Sequence, residues 1–170
     1  MAATSLSLVN QKLAFCRALV KLIQQEPEPR QVSARVRCQS LLDAAAFHLL
    51  CAYRHYLREV AENYGVADSA NISNEGELAD ALQRMGKVPS EALELKALRD
   101  DPDSWLAELQ SAYEACWELS DPVAMSQRIQ VMDLDTPRGR SRKVSRERLL
   151  FWFEAFEHLV DRQRETSAEY

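Results

Sequence analysis

The segment "LLDAAAFHLLCAY", residues 41–53, is apolar on nearly every side of a helical wheel. A helix that is apolar all round is typical of the centre of a bundle, because neighbours must cover each of its faces. Asp43 is the single acidic side chain in the segment. A buried carboxylate requires a partner, so we expect Asp43 to pair with Arg17. The segment predicts an all-α fold built around this helix.

The helical pattern around this segment continues in both directions. Pro29 suits the first turn of a helix, and Gly65 is a typical C-terminal stop. A helix from Pro29 to Tyr64 is roughly 50 Å long at 1.5 Å per residue, which exceeds the diameter of about 40 Å expected for a compact domain of this size. We therefore predict a single elongated helical bundle, residues 1–170, with a long central second helix.

A first helix is predicted over about Ser5 to Gln25. Its apolar residues recur at spacings of four and three, which keeps them on one face; they are Val9, Leu13, Cys16, Val20 and Ile23. The following "EPEPR", residues 26–30, ends this helix because proline cannot occupy a helix interior.

Three shorter helices are predicted after a loop at 66–74. The first covers about 75–85, with Leu78, Leu82 and Met85 directed inward. The second begins at a Ser90 cap, and the third begins with Asp101 at the cap and Pro102 just inside, and ends near Leu119.

The chain then enters a mostly irregular stretch, 120–144. The last helix is predicted to begin near Arg146, with Ser145 as its cap and Val144 and Leu149 as a hydrophobic staple. In "FWFEAF", 151–156, we expect core residues with flanking contacts, or alternatively an exposed aromatic patch. Residues 165–170 are expected to fray.

Composition favours a soluble cytoplasmic protein. The chain has a formal net charge of −5, and 46% of its residues are hydrophobic. No apolar run approaches the ~20 residues of a membrane span, and no signal peptide is recognised, so no membrane association is expected. The four cysteines are interpreted as buried reduced thiols; they are Cys16, Cys38, Cys51 and Cys116.

The sequence offers no catalytic residue, metal site or cofactor site that we can assign. His48 and His55 lie about 10 Å apart along one helix and cannot chelate one ion together. The Glu-x-x-His and cysteine-rich metal spacings are not found, nor are nucleophile or phosphate-loop motifs. We expect packed or hydrogen-bonded rings for both histidines, and solvated side chains for Glu59, Glu154 and His158. A metal-dependent enzyme is the least favoured alternative.

The stretch "TPRGRSRKVSRERLLFWF", 136–153, concentrates positive charge in an acidic protein. Thr136 to Arg148 contain six cations and one acid, Glu147. Cations at a helix N-terminus oppose the helix dipole, which indicates that something offsets them. We predict an anion-binding or partner-binding site here, formed by Arg138, Arg140, Arg142, Lys143, Ser145, Arg146 and Arg148.

Three explanations of this basic segment are open. It can pair internally, bind an acidic protein partner, or bind phosphate. The acids considered for internal pairing are Asp133 and Asp135, which precede the segment, and Asp100, Asp101 and Asp103. We interpret the protein as a non-catalytic interaction or regulatory protein that binds an acidic partner through residues 138–148. The alternative is a nucleic-acid-associated factor that contacts the phosphate backbone. A monomer and a homodimer are both open.

Three short motifs carry a resemblance to a known family. "NQKLAF" (10–15), "AAFHLL" (45–50) and "DSWLAEL" (103–109) occur in that order. Together they resemble an uncharacterised family of small bacterial all-helical proteins, a domain of unknown function. The resemblance spans nearly the whole chain and implies a cytoplasmic bacterial protein with one helical domain. It implies no catalytic residue.

Overall fold

The computed structural model describes residues 4–26, 31–117 and 144–168, with side chains described up to Thr166. These residues form six α-helices and one short 3₁₀ helix, Ser69–Asn71, and no β-strand occurs among them. The α-helices are α1 Ser5–Gln25, α2 Val32–Asn63, α3 Glu75–Arg84, α4 Ser90–Asp100, α5 Trp105–Glu114 and α6 Arg146–Ala168. The predicted all-α fold and its long second helix are confirmed.

The first two helices form a long antiparallel hairpin. At one end the Ser5 hydroxyl donates a hydrogen bond of 2.6 Å to Glu62, and at the other Arg37 lies 2.6 Å from Glu26. The buried face of α1 is the one predicted from its spacing: Val9, Leu13, Cys16, Val20 and Ile23. With 32 residues, α2 spans ~48 Å, so the bundle is elongated as expected.

The helices α5 and α6 cover one side of the hairpin. An aromatic cluster joins them to α2, with the ring centroid of Phe156 5.9 Å from those of both Tyr53 and Trp105. The Trp152 indole nitrogen donates to Glu108 at 3.0 Å. Trp105 near the start of α5 contacts Phe156, whereas Glu108 further along α5 contacts the earlier residue Trp152, so the two helices run antiparallel.

The short helices α3 and α4 pack with the bundle through buried leucines, Leu78, Leu82 and Leu95. Tyr53 of α2 and Tyr64, which follows α2, bind them through hydrogen bonds. The Tyr53 hydroxyl donates to Glu75 at 2.6 Å, and the Tyr64 hydroxyl donates to Glu91 at 3.1 Å. Burial keeps both tyrosines protonated, since it raises the pKa of each hydroxyl.

Helix starts were predicted with mixed success. Ser145 caps α6, because its hydroxyl accepts from the Arg148 backbone N–H at 3.2 Å. The predicted Asp101 cap is wrong. The Asp101 carboxylate accepts from the backbone N–H of Asp103, two residues further along, and Ser104 is the cap of α5. The Ser90 cap is also wrong, since Pro89 holds the cap position of α4.

The predicted helix ends agree with the structure at the two helices that a glycine follows. Gly65 and Gly86 follow α2 and α3 with φ of 78° and 70°, the left-handed region that other residues rarely adopt. The helix α6 ends at Ala168. The predicted irregular stretch 120–144 lies outside the described residues, apart from Val144.

Several predictions of side-chain environment are wrong. Asp43 is exposed and accepts from Gln39 at 2.7 Å, while Arg17 pairs with Glu157 of α6 instead. Met85 was expected to point inward but is 44% exposed. Cys116 is exposed, whereas Cys16 and Cys38 are buried as predicted; all four cysteines are free.

Within residues 4–26, 31–117 and 144–168, none of the helices combines the length and the apolar character needed to cross a bilayer.

Candidate functional site

The C-terminal part of the predicted basic site is anchored in the first turn of α6. Val144 and Leu149 are both buried, as the predicted hydrophobic staple requires. Ser145 closes the turn through its cap on the Arg148 backbone. These contacts fix where the basic segment joins the bundle.

Two of the predicted site arginines have partners inside the molecule. The Arg148 guanidinium lies 2.7 Å from Glu108 of α5, and Arg146 donates to the backbone oxygen of Glu26 at 3.0 Å. The other predicted cations lie outside the described residues: Arg138, Arg140, Arg142 and Lys143. The structure therefore brings together Ser145, Arg146 and Arg148.

Among the acids considered for internal pairing, Asp133 and Asp135 lie outside the described residues, and the others contact neither Arg146 nor Arg148. Asp100, Asp101 and Asp103 precede α5, whereas Arg148 contacts Glu108 in the first turn of that helix. Because α5 and α6 are antiparallel, the α6 N-terminus is directed toward the opposite end of α5. In the described part of the site, Glu108 and the Glu26 carbonyl provide the internal contacts instead.

Charge is also segregated within the bundle itself. Helices α1 and α2, residues 5–25 and 32–63, carry seven cations against three carboxylates, a net charge of +4. Residues 75–114, from α3 to α5, carry four cations against ten carboxylates, a net charge of −6. The helical body therefore has a cationic hairpin and an anionic layer, which the overall net charge of −5 conceals.

An open cleft of about 970 Å³ lies between the end of α2, the start of α4 and the end of α6, and Leu6 also lines it. On its wall both oxygens of Glu59 accept from the Arg164 guanidinium, at 2.7 and 2.8 Å. Glu59 is 2% exposed, so the predicted solvated side chain is wrong. The hydrogen bonds to Glu59 raise the pKa of Arg164 above the usual value for an arginine.

A hydrogen-bonded chain adjoins this ion pair. The Tyr56 hydroxyl donates to Gln163 at 2.8 Å, and the Gln163 amide donates to Glu94 at 2.7 Å. Glu94 also receives the Arg162 guanidinium. The polar groups thus hold the C-terminal end of α6 against α2 and α4. Sequence reasoning missed this site, although Glu59 within a mostly apolar helix was a signal for a buried partner.

The two histidines of α2 are packed rings, as predicted. The Nδ1 atoms of His48 and His55 are both buried and have no hydrogen-bond partner in the described structure. Burial lowers the pKa of both rings, and Lys12 contributes to both. His158 and Glu154 are exposed as expected. The described residues contain no group of three His, Cys, Asp or Glu side chains that could hold a metal ion.

The aromatic residues of α6 divide between core and surface. Trp152, Phe153 and Phe156 are buried and Phe151 is 58% exposed, so core with one flanking residue is the correct interpretation.

A second group of aromatic rings, which the sequence did not reveal, runs from α1 across α2 and α5 to Trp117, which follows α5. Its successive rings lie 5.4–6.4 Å apart, in the order Phe15, His48, Phe47, Tyr113 and Trp117.

These features define an all-α protein built on a helical hairpin, with a basic segment joined to its last helix. The chain belongs to DUF6586, a family of unknown function whose model matches residues 1–170. The family resemblance noted from its motifs is thereby confirmed. No curated protein and no solved structure matches the chain.

Proposed function

We propose that this chain is a non-catalytic interaction or regulatory protein that binds an acidic protein partner through the basic segment, residues 138–148. The observation that carries the proposal is the concentration of six cations and one acid between Thr136 and Arg148 in a chain of net charge −5. Such a local excess attracts anionic surfaces and accelerates encounter with them.

The two cations of the segment that lie among the described residues have partners inside the molecule, so the proposal relies on the other four. Arg146 and Arg148 serve the bundle, because they bind the Glu26 carbonyl and Glu108. The partner-binding role is accordingly assigned to the four preceding cations, Arg138, Arg140, Arg142 and Lys143. Arginine favours carboxylates because its planar guanidinium can donate two parallel hydrogen bonds.

A binding titration tests the proposal. A fluorescent poly-glutamate peptide should bind the full chain at low salt and dissociate as salt is raised. Changing Arg138, Arg140, Arg142 and Lys143 to Gln should abolish this binding. The matched control changes four cations outside the segment to Gln, which should leave binding unchanged: Lys21, Arg35, Arg84 and Lys96.

Two results would contradict this proposal. Equal affinities of the segment and control variants would make the segment a solubilising stretch only. Tighter binding of single-stranded or duplex oligonucleotides than of poly-glutamate, lost in the segment variant, would instead support the alternative of a nucleic-acid-associated factor.

We also propose that the protein works in the cytoplasm of a bacterial cell. The free thiols support a reducing compartment. Burial raises the pKa of Cys16 to about 12, which keeps this thiol protonated and unreactive.

A further inference from the structure

The hairpin has a second face, turned away from α6, on which two rows of side chains run side by side. The row on α1 is Leu8, Lys12, Phe15, Leu19 and Leu22, and the row on α2 is Leu41, Ala44, His48, Cys51 and His55. All ten side chains are half-buried or exposed. We term the surface between these two rows the outer groove.

The two rows are in register. The rings of Phe15 and His48 meet with centroids 5.4 Å apart, which fixes one pair across the antiparallel hairpin. Moving outward from this pair by the same steps on both helices sets Leu19 opposite Ala44 and Lys12 opposite Cys51. The charge of Lys12 acts on His48, Cys51 and His55, in agreement with that register.

The outer groove is not covered by another described element. The helix α6 contacts α1 through Asn10 and Arg17, which lie on the other side of α1. Phe15 and Leu22 remain 45% and 50% exposed. Apolar side chains in a contiguous row of this kind are typical of an interaction surface.

The shape of the outer groove suits a helix. Each row repeats at spacings of four and three over about four turns, roughly 21 Å. Two antiparallel helices with such rows form the channel into which a third helix packs in a bundle. Partner helices bind such grooves through their own apolar face.

The charge of the outer groove selects the partner. None of its ten side chains is acidic, and Lys12 is cationic. The Arg54 guanidinium stacks on the Tyr113 ring at 5.6 Å beside it. A second copy would bring another Lys12 to the groove and no carboxylate to offset either charge. An acidic helix brings the missing carboxylates.

We propose that the outer groove docks an acidic amphipathic helix of a protein partner. Its leucine-like face packs on Phe15, Leu19 and Leu22, and its flanking carboxylates face Lys12. The inference rests on the proposed function only in taking the partner to be acidic, because it uses none of the residues of the basic segment.

The probe is a fluorescent three-heptad peptide with Leu at the core positions and Glu at the flanking positions, compared with its Lys-flanked counterpart. Like charges on the flanks keep each peptide from pairing with itself. The full-length protein should bind the Glu peptide and not the Lys peptide. Lys12→Glu and Phe15→Ala should each weaken binding by about tenfold.

Two control variants match these changes away from the outer groove. Lys21→Glu reverses another charge of α1, and Leu93→Ala truncates another exposed apolar side chain, on α4. Both should bind the Glu peptide with unchanged affinity. Circular dichroism of all four variants verifies that they remain folded.

The inference is overturned if both peptides bind equally, if neither binds, or if Lys21→Glu weakens binding as much as Lys12→Glu. Sedimentation that shows a dimer disrupted by Phe15→Ala would assign the outer groove to a second copy. Oligonucleotide binding lost in Phe15→Ala would assign it to nucleic acid.

The same titrations separate this inference from the proposed function. Poly-glutamate has no apolar face, so its binding reports on the basic segment. Loss of Glu-peptide binding with poly-glutamate binding retained overturns the outer groove alone. The reverse pattern overturns the basic segment alone.

Discussion

The two ends of α6 each carry an arginine paired with a glutamate, in opposite environments. At the N-terminal end the side chains of Arg148 and Glu108 are 58% and 27% exposed. At the C-terminal end those of Arg164 and Glu59 are 27% and 3% exposed. Glu108 also receives the Trp152 indole, whereas both oxygens of Glu59 are held by Arg164.

The difference between the two ends lies in how much their ion pairs contribute to stability. A buried carboxylate that loses its single cationic partner remains desolvated and unpaired, which is strongly destabilising. An exposed pair exchanges its partner for water at little loss of stability. The ion pair at the C-terminal end of α6 therefore contributes more to the stability of the bundle than the ion pair at its N-terminal end, where apolar burial anchors the helix.

The largest effect is expected from Arg164→Ala. It should lower the free energy of unfolding by about 3 kcal/mol, because Glu59 is left buried without its partner. Urea unfolding followed by circular dichroism measures this change. The double variant Glu59→Leu/Arg164→Met removes both charges and should recover most of the loss. If Arg164→Ala lowers the free energy of unfolding only as much as the loss of an exposed ion pair would, the ion pairs at the two ends do not differ in their contribution to stability.

A smaller effect is expected from Arg148→Ala. Trp152 still donates to Glu108 in this variant, so the free energy of unfolding should fall by no more than ~1 kcal/mol, and the difference should shrink in high salt. The same urea unfolding at low and high salt measures it. A loss equal to that of Arg164→Ala would show that exposure does not distinguish the two ends.

The smallest effect concerns how stability depends on pH through Glu94, which binds the C-terminal end of α6. Burial acts to raise the pKa of Glu94, but hydrogen bonds from Arg162 and Gln163 lower it below its ordinary value of 4.5. The Glu94 carboxylate therefore binds a proton more readily in the unfolded chain than in the folded one. Its contribution to stability is present above pH 4.5 and is lost as pH falls through the folded-state pKa. Glu94→Gln should flatten the decline in unfolding free energy below that pH. An unchanged slope would mean that Glu94 contributes nothing to acid sensitivity.

The long helices could be predicted because their apolar spacing is a local property. The buried face of α1 and the end of α2 at Gly65 follow from that spacing and from glycine's access to positive φ. The caps of α4 and α5 could not be read as reliably. Asp101 and Ser104 are both good cap residues, and the choice between them depends on how the preceding turn closes.

The candidate sites were predictable only in part. The basic segment is a composition signal, and Ser145 with its staple correctly located the start of α6. The outer groove could not be recognised, since Leu8, Phe15 and Leu22 look like a wider core face in the sequence. Their exposure depends on which side of α1 receives α6. The partner of Glu59, Arg164, lies more than a hundred residues further along the chain.

The sequence by itself determined the helical class, the extent of α1, the end of α2 and the basic segment, because periodicity, glycine stops and charge act over a few residues. The tertiary structure alone decided which apolar faces are covered, which carboxylates are buried and where the cationic and anionic helices lie. Those properties depend on contacts between distant segments, and burial changes the free energy of a side chain only when a neighbour excludes water from it.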